Sequence, residues 1–174
     1  MHRLRIQLLI IAGVVVAGDV LTKQLALSFL PPAGIPHEVV GDVVRFTLAF
    51  NRGAAFGMHV GGWSRLVFSA FAVGMVAVLL VAVGRVTGPV QRLVTAMGLV
   101  AGGALGNLID RVRWDRGVVD FIDIGLGTTR FWVFNLADSA ITLGAILLLW
   151  PTSHEVPAAT AHGSPAGSAD AGPT

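Results

Sequence analysis

Two aspartates, Asp120 and Asp138, have the residue type and the surroundings for acid–base chemistry. Asp120 stands in Val118-Val119-Asp120-Phe121-Ile122-Asp123, among apolar neighbours whose desolvation raises a carboxyl pKa. Asp138 stands in Phe134-Asn135-Leu136-Ala137-Asp138-Ser139-Ala140. Two carboxylates sharing a site cannot both ionise cheaply, so one keeps a proton while the other stays charged. The charged member can then take a proton from an attacking water while its partner donates to a carbonyl oxygen, and the pair titrates as a unit. Asp138 has a second reading: Asn135 as N-cap with an acid three residues later is a capping-box variant, favoured by the helix dipole. Capping and catalysis both fit that motif.

Competing hydrolytic chemistries fail on inventory. The chain has no cysteine, which excludes thiol nucleophiles, disulfides and Cys-ligated metals. His2, His37, His59, His154 and His162 show no His-Glu-x-x-His spacing, and no Gly-x-Ser-x-Gly elbow or Gly-Lys-Ser/Thr loop occurs. No metal and no cofactor are expected. Twelve Lys and Arg against ten Asp and Glu are spread along the chain, so no basic stripe suggests a nucleic-acid partner.

Other ionisable groups lie inside apolar stretches, where each costs free energy unless paired, hydrated or used. Asp19 and Lys23 are one helical turn apart and can pair on one face. Lys23 either snorkels to the headgroups or helps to shape a site. Asn51-Arg52-Gly53-Ala54-Ala55-Phe56-Gly57 suits a tight turn with close backbone approach. Gly102, Gly103 and Gly106 allow close helix packing, and Asn107, Asp110 and Arg111 follow within about one turn, with Asn107 and Asp110 on a shared face.

The elements that must position these groups belong to a membrane protein. The 174 residues are 54% apolar and 13% charged with a mean hydropathy of +0.76, too apolar for an ordinary soluble domain. A spanning helix needs roughly 20 apolar residues, and four stretches qualify, near 6–28, 65–84, 92–110 and 132–150. The first continues through Leu30, which favours a span over a cleavable signal segment. Antiparallel third and fourth spans place the end of one and the start of the next in one leaflet, which lets Asp120 meet Asp138.

The loop 31–64 alternates through Val39, Val40, Val43, Val44, Phe46 and Leu48, which predicts short strands. The second loop covers 111–131. Trp63, Trp132 and Trp150 fall at predicted span ends as interfacial anchors. The Pro/Ala/Gly/Ser-rich segment 151–174 is expected to be a disordered tail. Arginine counting alone favours termini outside, since Arg45, Arg52, Arg65, Arg111, Arg113, Arg116 and Arg130 lie in the longer loops. Those loops also hold Glu38, Asp42, Asp115, Asp120 and Asp123, whereas Arg3, Arg5, Arg85 and Arg92 sit in short flanks without acids, so the charge pattern alone leaves the orientation ambiguous.

Taken together and in order, Asp19-Val20-Leu21-Thr22-Lys23, Asn51-Arg52-Gly53-Ala54-Ala55-Phe56-Gly57, Gly106-Asn107-Leu108-Ile109-Asp110-Arg111 with Val119-Asp120-Phe121, and Phe134-Asn135-Leu136-Ala137-Asp138-Ser139 resemble bacterial lipoprotein signal peptidase (signal peptidase II) over roughly 4–150. The resemblance implies a bundle of four transmembrane helices in the inner membrane, with both termini cytoplasmic. A small extracytoplasmic β-sheet and a flexible flap in the first long loop go with it. It also implies cleavage of diacylglyceryl-modified prolipoproteins before the lipidated cysteine, by an Asp120–Asp138 dyad near the extracytoplasmic face, with the substrate entering from the membrane lipid. Asn51, Asn107, Arg111 and Asn135 match substrate-binding positions of that family. Asp19, Lys23, Arg52, Gly53 and Asp110 match supporting ones. The stretch before Asp120 is about a residue longer than the family pattern, which keeps Asp123 as a rival for the catalytic position. A monomer is expected. The alternative is a small four-helix proton-coupled transporter, since membrane-embedded carboxylates also carry protons.

Overall fold

Long apolar runs without proline form the helices. In the computed structural model, which describes residues 2–53, 61–86 and 91–150, helix α1 spans His2–Phe29 and stops just before Pro31-Pro32. A narrow stripe of α1, formed by Leu8, Ala12, Asp19, Lys23 and Ala26, is buried at helical spacing. Leu9, Ile10, Val14, Leu21 and Leu25 point outward, a continuous apolar surface that water does not favour.

A short 3-10 turn, Gly61–Trp63, leads into α2, Ser64–Ala82, followed by a second turn, Val83–Arg85. Helix α3, Gln91–Arg113, is the hub and packs against α1, α2 and α4. Its small residues allow this: a Cβ on Gly102 would strike the Ala12 backbone of α1, and one on Gly103 would strike the Ala137 carbonyl of α4. Helix α4 is Leu136–Leu149. The helices at His2–Phe29, Gly61–Arg85 and Gln91–Arg113 are long and apolar enough to cross a membrane. The expected fourth span, 132–150, carries a helix of only 14 residues, because Phe134 is bridged to Ile122 of the sheet and Asn135 is the N-cap that starts the helix.

The sheet is antiparallel in the order β1-β2-β3-β4: β1 Pro36–Val40, β2 Val44–Asn51, β3 Val118–Leu126 and β4 Thr129–Arg130. It was expected within the first long loop. That loop supplies two strands, and the second loop supplies the other two. Strand β3 is the buried one: Val119 and Phe121 pack with Leu48, Ala26 and Leu30 in a small core that joins the sheet to the end of α1, with Phe46 meeting Phe121 edge-on at 6.1 Å. Ala54, Ala55, Phe56 and Gly57 of the loop motif, the greater part of any flap, and the tail 151–174 lie outside the described residues.

Candidate active site

Backbone pairing delivers the two aspartates to one place. Phe134 bridges Ile122: its N–H donates to the Ile122 carbonyl at 3.0 Å, and its own carbonyl accepts from Ile122 and Phe121 at 2.8 and 3.0 Å. The next residue, Asn135, therefore falls beside Asp120. Nδ2 of Asn135, fully buried, donates to Oδ1 of Asp120 at 2.7 Å, with the Val119 carbonyl at 3.3 Å.

Asn135 is also the N-cap of α4. Its Oδ1 accepts the N–H of Asp138 at 2.9 Å, and Oδ2 of Asp138 accepts the N–H of Asn135 at 3.2 Å, a complete capping box. The other oxygen of Asp138 accepts from Nδ2 of Asn107 at 2.8 Å. Capping and acid–base chemistry are thus compatible, since capping is what orients the Asp138 carboxylate. Burial, with Asp120 only 2% exposed, and the neighbouring Asp138 charge push the Asp120 pKa from 3.8 up to about 7, against the pull of hydrogen bonds from Asn135 and Asn51.

Asp123 is three residues further along β3, on the opposite face. There it pairs with Arg45 at 3.2 Å and Arg130 at 2.8 Å and accepts from Thr47 at 2.9 Å. Burial raises its pKa, but the hydrogen bonds from Arg130 and Thr47 and the charges of both arginines outweigh this and hold it below 3.8.

Beneath the aspartates lies a second polar layer. Nζ of Lys23 is 2.7 Å from Asp19 and 3.0 Å from Asp110, and it donates to Oδ1 of Asn107 at 3.0 Å. The helical spacing predicted the Asp19–Lys23 pair, but Lys23 does not snorkel: it is 2% exposed, because two carboxylates and an amide oxygen on α1 and α3 surround its ammonium inside the bundle. Asn107 and Asn135, hydrogen-bonded to each other at 3.0 Å, also belong to this buried layer. Gly106 makes room for it, since a Cβ there would stand 2.5 Å from Oδ2 of Asp19.

Asn51 and Arg111 lie at the open side. Arg111 donates to the Asn107 carbonyl at 3.2 Å and to the Gly53 carbonyl at 2.9 Å, and its guanidinium lies 5.7 Å from the Phe68 ring centroid. Gly53 returns its N–H to Oδ1 of Asn51 at 2.9 Å. A cleft of about 470 Å³ runs past Asn51, Arg52, Arg65, Arg111 and Asp115, and Arg65 pairs with Asp115 across it. The extra charges before Asp120 have local uses: Arg116 lies over the rings of Phe50 and Trp114, and Arg113 over Trp114.

Sequence reasoning passed over Gly117. It holds φ +100°, and a Cβ there would collide with the Asn51 carbonyl. Its position directly before an apolar strand was the only signal. Among the described residues no group of three or more His, Asp or Glu side chains is arranged to hold a metal ion.

Comparison with known proteins gives the family. Residues 11–153 match the sequence profile of the family described as signal peptidase (SPase) II. A lipoprotein signal peptidase of Paraburkholderia phytofirmans is 42% identical over 142 residues, covering 80% of each chain. One from Rhodococcus jostii is 45% identical over 156 residues, covering 85% of this chain and 73% of the relative. A bacterial membrane enzyme solved by the in meso method superposes with a TM-score of 0.72 at 33% identity, covering 81% of this chain and 84% of that one. A match over most of the length, with relatives well above 30% identity, places this chain in the signal peptidase II family of membrane peptidases.

Proposed function

We propose that the chain works as an aspartyl endopeptidase with Asp120 and Asp138 as its catalytic pair. As a signal peptidase II, its activity is removal of signal peptides from prolipoproteins. The observation that carries the aspartyl reading is the single amide of Asn135, which donates to Asp120 while capping Asp138. With Asp120 holding the shared proton near neutral pH, Asp138 is left as the base. Asp138 takes a proton from water as the water oxygen bonds to the scissile carbonyl carbon, and Asp120 gives its proton to the carbonyl oxygen. On collapse, Asp138 passes its proton to the departing amine, Asp120 recovers its own from the hydroxyl, and the C–N bond breaks.

Asn51 and Arg111 are the residues placed to hold the substrate backbone in the cleft, with Arg52 at its rim. Asn107 and Asn135 orient the carboxylates from below, and Asp19, Lys23, Gly53 and Asp110 support them. The substrate is a diacylglyceryl-modified prolipoprotein cut before its lipidated cysteine, entering a monomeric enzyme from the membrane. Four crossings of the cytoplasmic membrane put both termini and the 151–174 tail inside and the sheet and dyad outside. The proton-coupled transporter has no support beside the family relationship.

The test is purified wild type against Asp120→Asn and Asp138→Asn on a lipidated and an unlipidated prolipoprotein peptide. Both variants lose cleavage, and only the lipidated peptide is cut efficiently by wild type. Full activity of either variant removes that residue from the dyad, and equal cleavage of both peptides removes the lipid requirement.

A further inference from the structure

Lys23 brings a full charge into the bundle interior, and the dyad mechanism gives it no step. A buried ammonium is costly unless its protons are all taken. Here the Asp19 and Asp110 carboxylates pair with it at 2.7 and 3.0 Å, and Asn107 Oδ1 accepts a hydrogen bond from it. Each of the three acceptors then leads to an aspartate. Oδ1 of Asp19 accepts the N–H of Ala137 at 2.9 Å, the residue before Asp138. Oδ2 of Asp110 accepts the N–H of Val119 at 3.0 Å, the residue before Asp120. Asn107 reaches Asp138 directly and Asp120 through Asn135.

An ammonium can only donate. Asn107 must therefore turn its Oδ1 to Lys23, which leaves its Nδ2 for Asp138. The same Oδ1 draws Nδ2 of Asn135, which also serves Asp120 and leaves Oδ1 of Asn135 to cap the Asp138 N–H. One charge decides the direction of every hydrogen bond in the relay, so that N–H groups, not oxygens, face both carboxylates.

We propose that Lys23 is the positioning residue of the dyad: it ties the backbone before Asp120 and the backbone before Asp138 to one point and fixes the direction of the amide relay between them. The inference rests on the aspartyl reading above. Asp120 is faced by Lys23 from α1, Asn51 from β2, Arg111 from α3, and Asn135 and Asp138 at the start of α4. The Lys23 charge favours the ionised form of Asp120, so its loss moves the alkaline limb of activity to higher pH.

The experiment measures kcat, KM and the pH profile on the lipidated peptide for full-length wild type, Lys23→Met and Asn107→Asp. Asp120→Asn and Asp138→Asn are run alongside, and each preparation is normalised to folded protein by size exclusion and thermal melting. Lys23→Met is expected to lower kcat by about 10²-fold, the scale of a small misplacement of reacting groups, with KM unchanged and the alkaline limb shifted upward. Asn107→Asp still accepts from Lys23 but cannot donate to Asp138, and is expected to lose kcat at unchanged KM even if Lys23→Met fails to fold. Wild-type kcat in folded Lys23→Met, a change in KM alone, or an unshifted alkaline limb overturns the positioning role. Wild-type turnover in Asn107→Asp overturns the relay direction. Continued cleavage by Asp120→Asn or Asp138→Asn is a separate result that sinks the dyad itself.

Discussion

The side-chain amide of Asn135 donates to the Asp120 carboxylate at 2.7 Å. The same side chain caps α4 through the N–H of Asp138, so helix capping and site geometry depend on one residue.

Two replacements of Asn135 test those roles. Asn135→Ala loses the cap, costing about 1 kcal/mol, and leaves Asp120 without its donor, with kcat falling by about 10²-fold. Asn135→Asp keeps an oxygen for the Asp138 N–H but turns a second one toward Asp120. It should lose activity to the same degree and also melt lower, because its second oxygen, fully buried, faces the oxygens of Asp120, Asn107 and Val119. Melting temperature and kcat measured on both variants check this, and an active Asn135→Asp would contradict the donor role.

The raised pKa of Asp120 sets the pH behaviour. Cleavage should decline as pH rises through about 7, where the dyad gives up its shared proton. Stability carries the same sign. A carboxyl that binds its proton more tightly folded than unfolded adds stability fully below its unfolded value of 3.8, and that stability is lost as pH rises to about 7. Melting temperature followed across this window should fall in wild type and flatten in Asp120→Asn. An equally steep fall in the variant would assign the dependence to another group.

Much of the site was legible because its motifs are local. Asn135 and Asp138 are a capping pair at fixed spacing, and Asp19 and Lys23 are one turn apart, so helix geometry alone brings each pair together. Asp120 among apolar neighbours announced its own desolvation. What could not be read were contacts set by long-range pairing. The Ile122–Phe134 bridge, which takes residues 132–135 out of the fourth helix, depends on two loop segments meeting. The inward turn of Lys23 depends on Asp110 and Asn107, which stand 87 and 84 residues away on α3. Composition predicts snorkelling for a lysine near a span end, and only the acceptors on the neighbouring helix reverse it.

Asp123 should behave as a structural acid. Asp123→Asn breaks pairing with Arg45 and Arg130 that joins β2, β3 and β4, yet leaves the opposite face of β3 intact. The expectation is a lower melting temperature at neutral pH with kcat per folded molecule near wild type. Because its pKa is depressed, the stability it contributes is present above 3.8 and lost as pH falls below that value. The difference in melting temperature between wild type and variant should therefore shrink in acid. Loss of catalysis at full stability would restore Asp123 as a candidate for the chemistry.

Among the described glycines, Gly117 alone combines a positive φ with a Cβ clash. At φ +100°, any other residue is strained by about 1–3 kcal/mol, and its Cβ would press on the Asn51 carbonyl. Gly117→Ala should lower the melting temperature and raise KM, because Asn51 and Gly53 shift together with the turn that Arg111 holds. An unchanged KM would show that Asn51 tolerates the displacement.

Helix α4 poses the sharpest question about topology. Its 14 residues rise about 21 Å, short of a hydrocarbon core of about 30 Å. The residues before it and the exposed Trp132 and Trp150 at either end lengthen the apolar segment toward a full crossing. The natural absence of cysteine makes labelling clean. With four crossings, Thr129→Cys, at the exposed start of β4, reacts with a membrane-impermeant maleimide in intact cells, whereas Arg3→Cys and Ser153→Cys react only after permeabilisation. If α4 does not cross, Ser153→Cys labels from outside together with Thr129→Cys. If Arg3→Cys labels in intact cells and Thr129→Cys does not, the whole orientation is reversed and the dyad faces the cytoplasm.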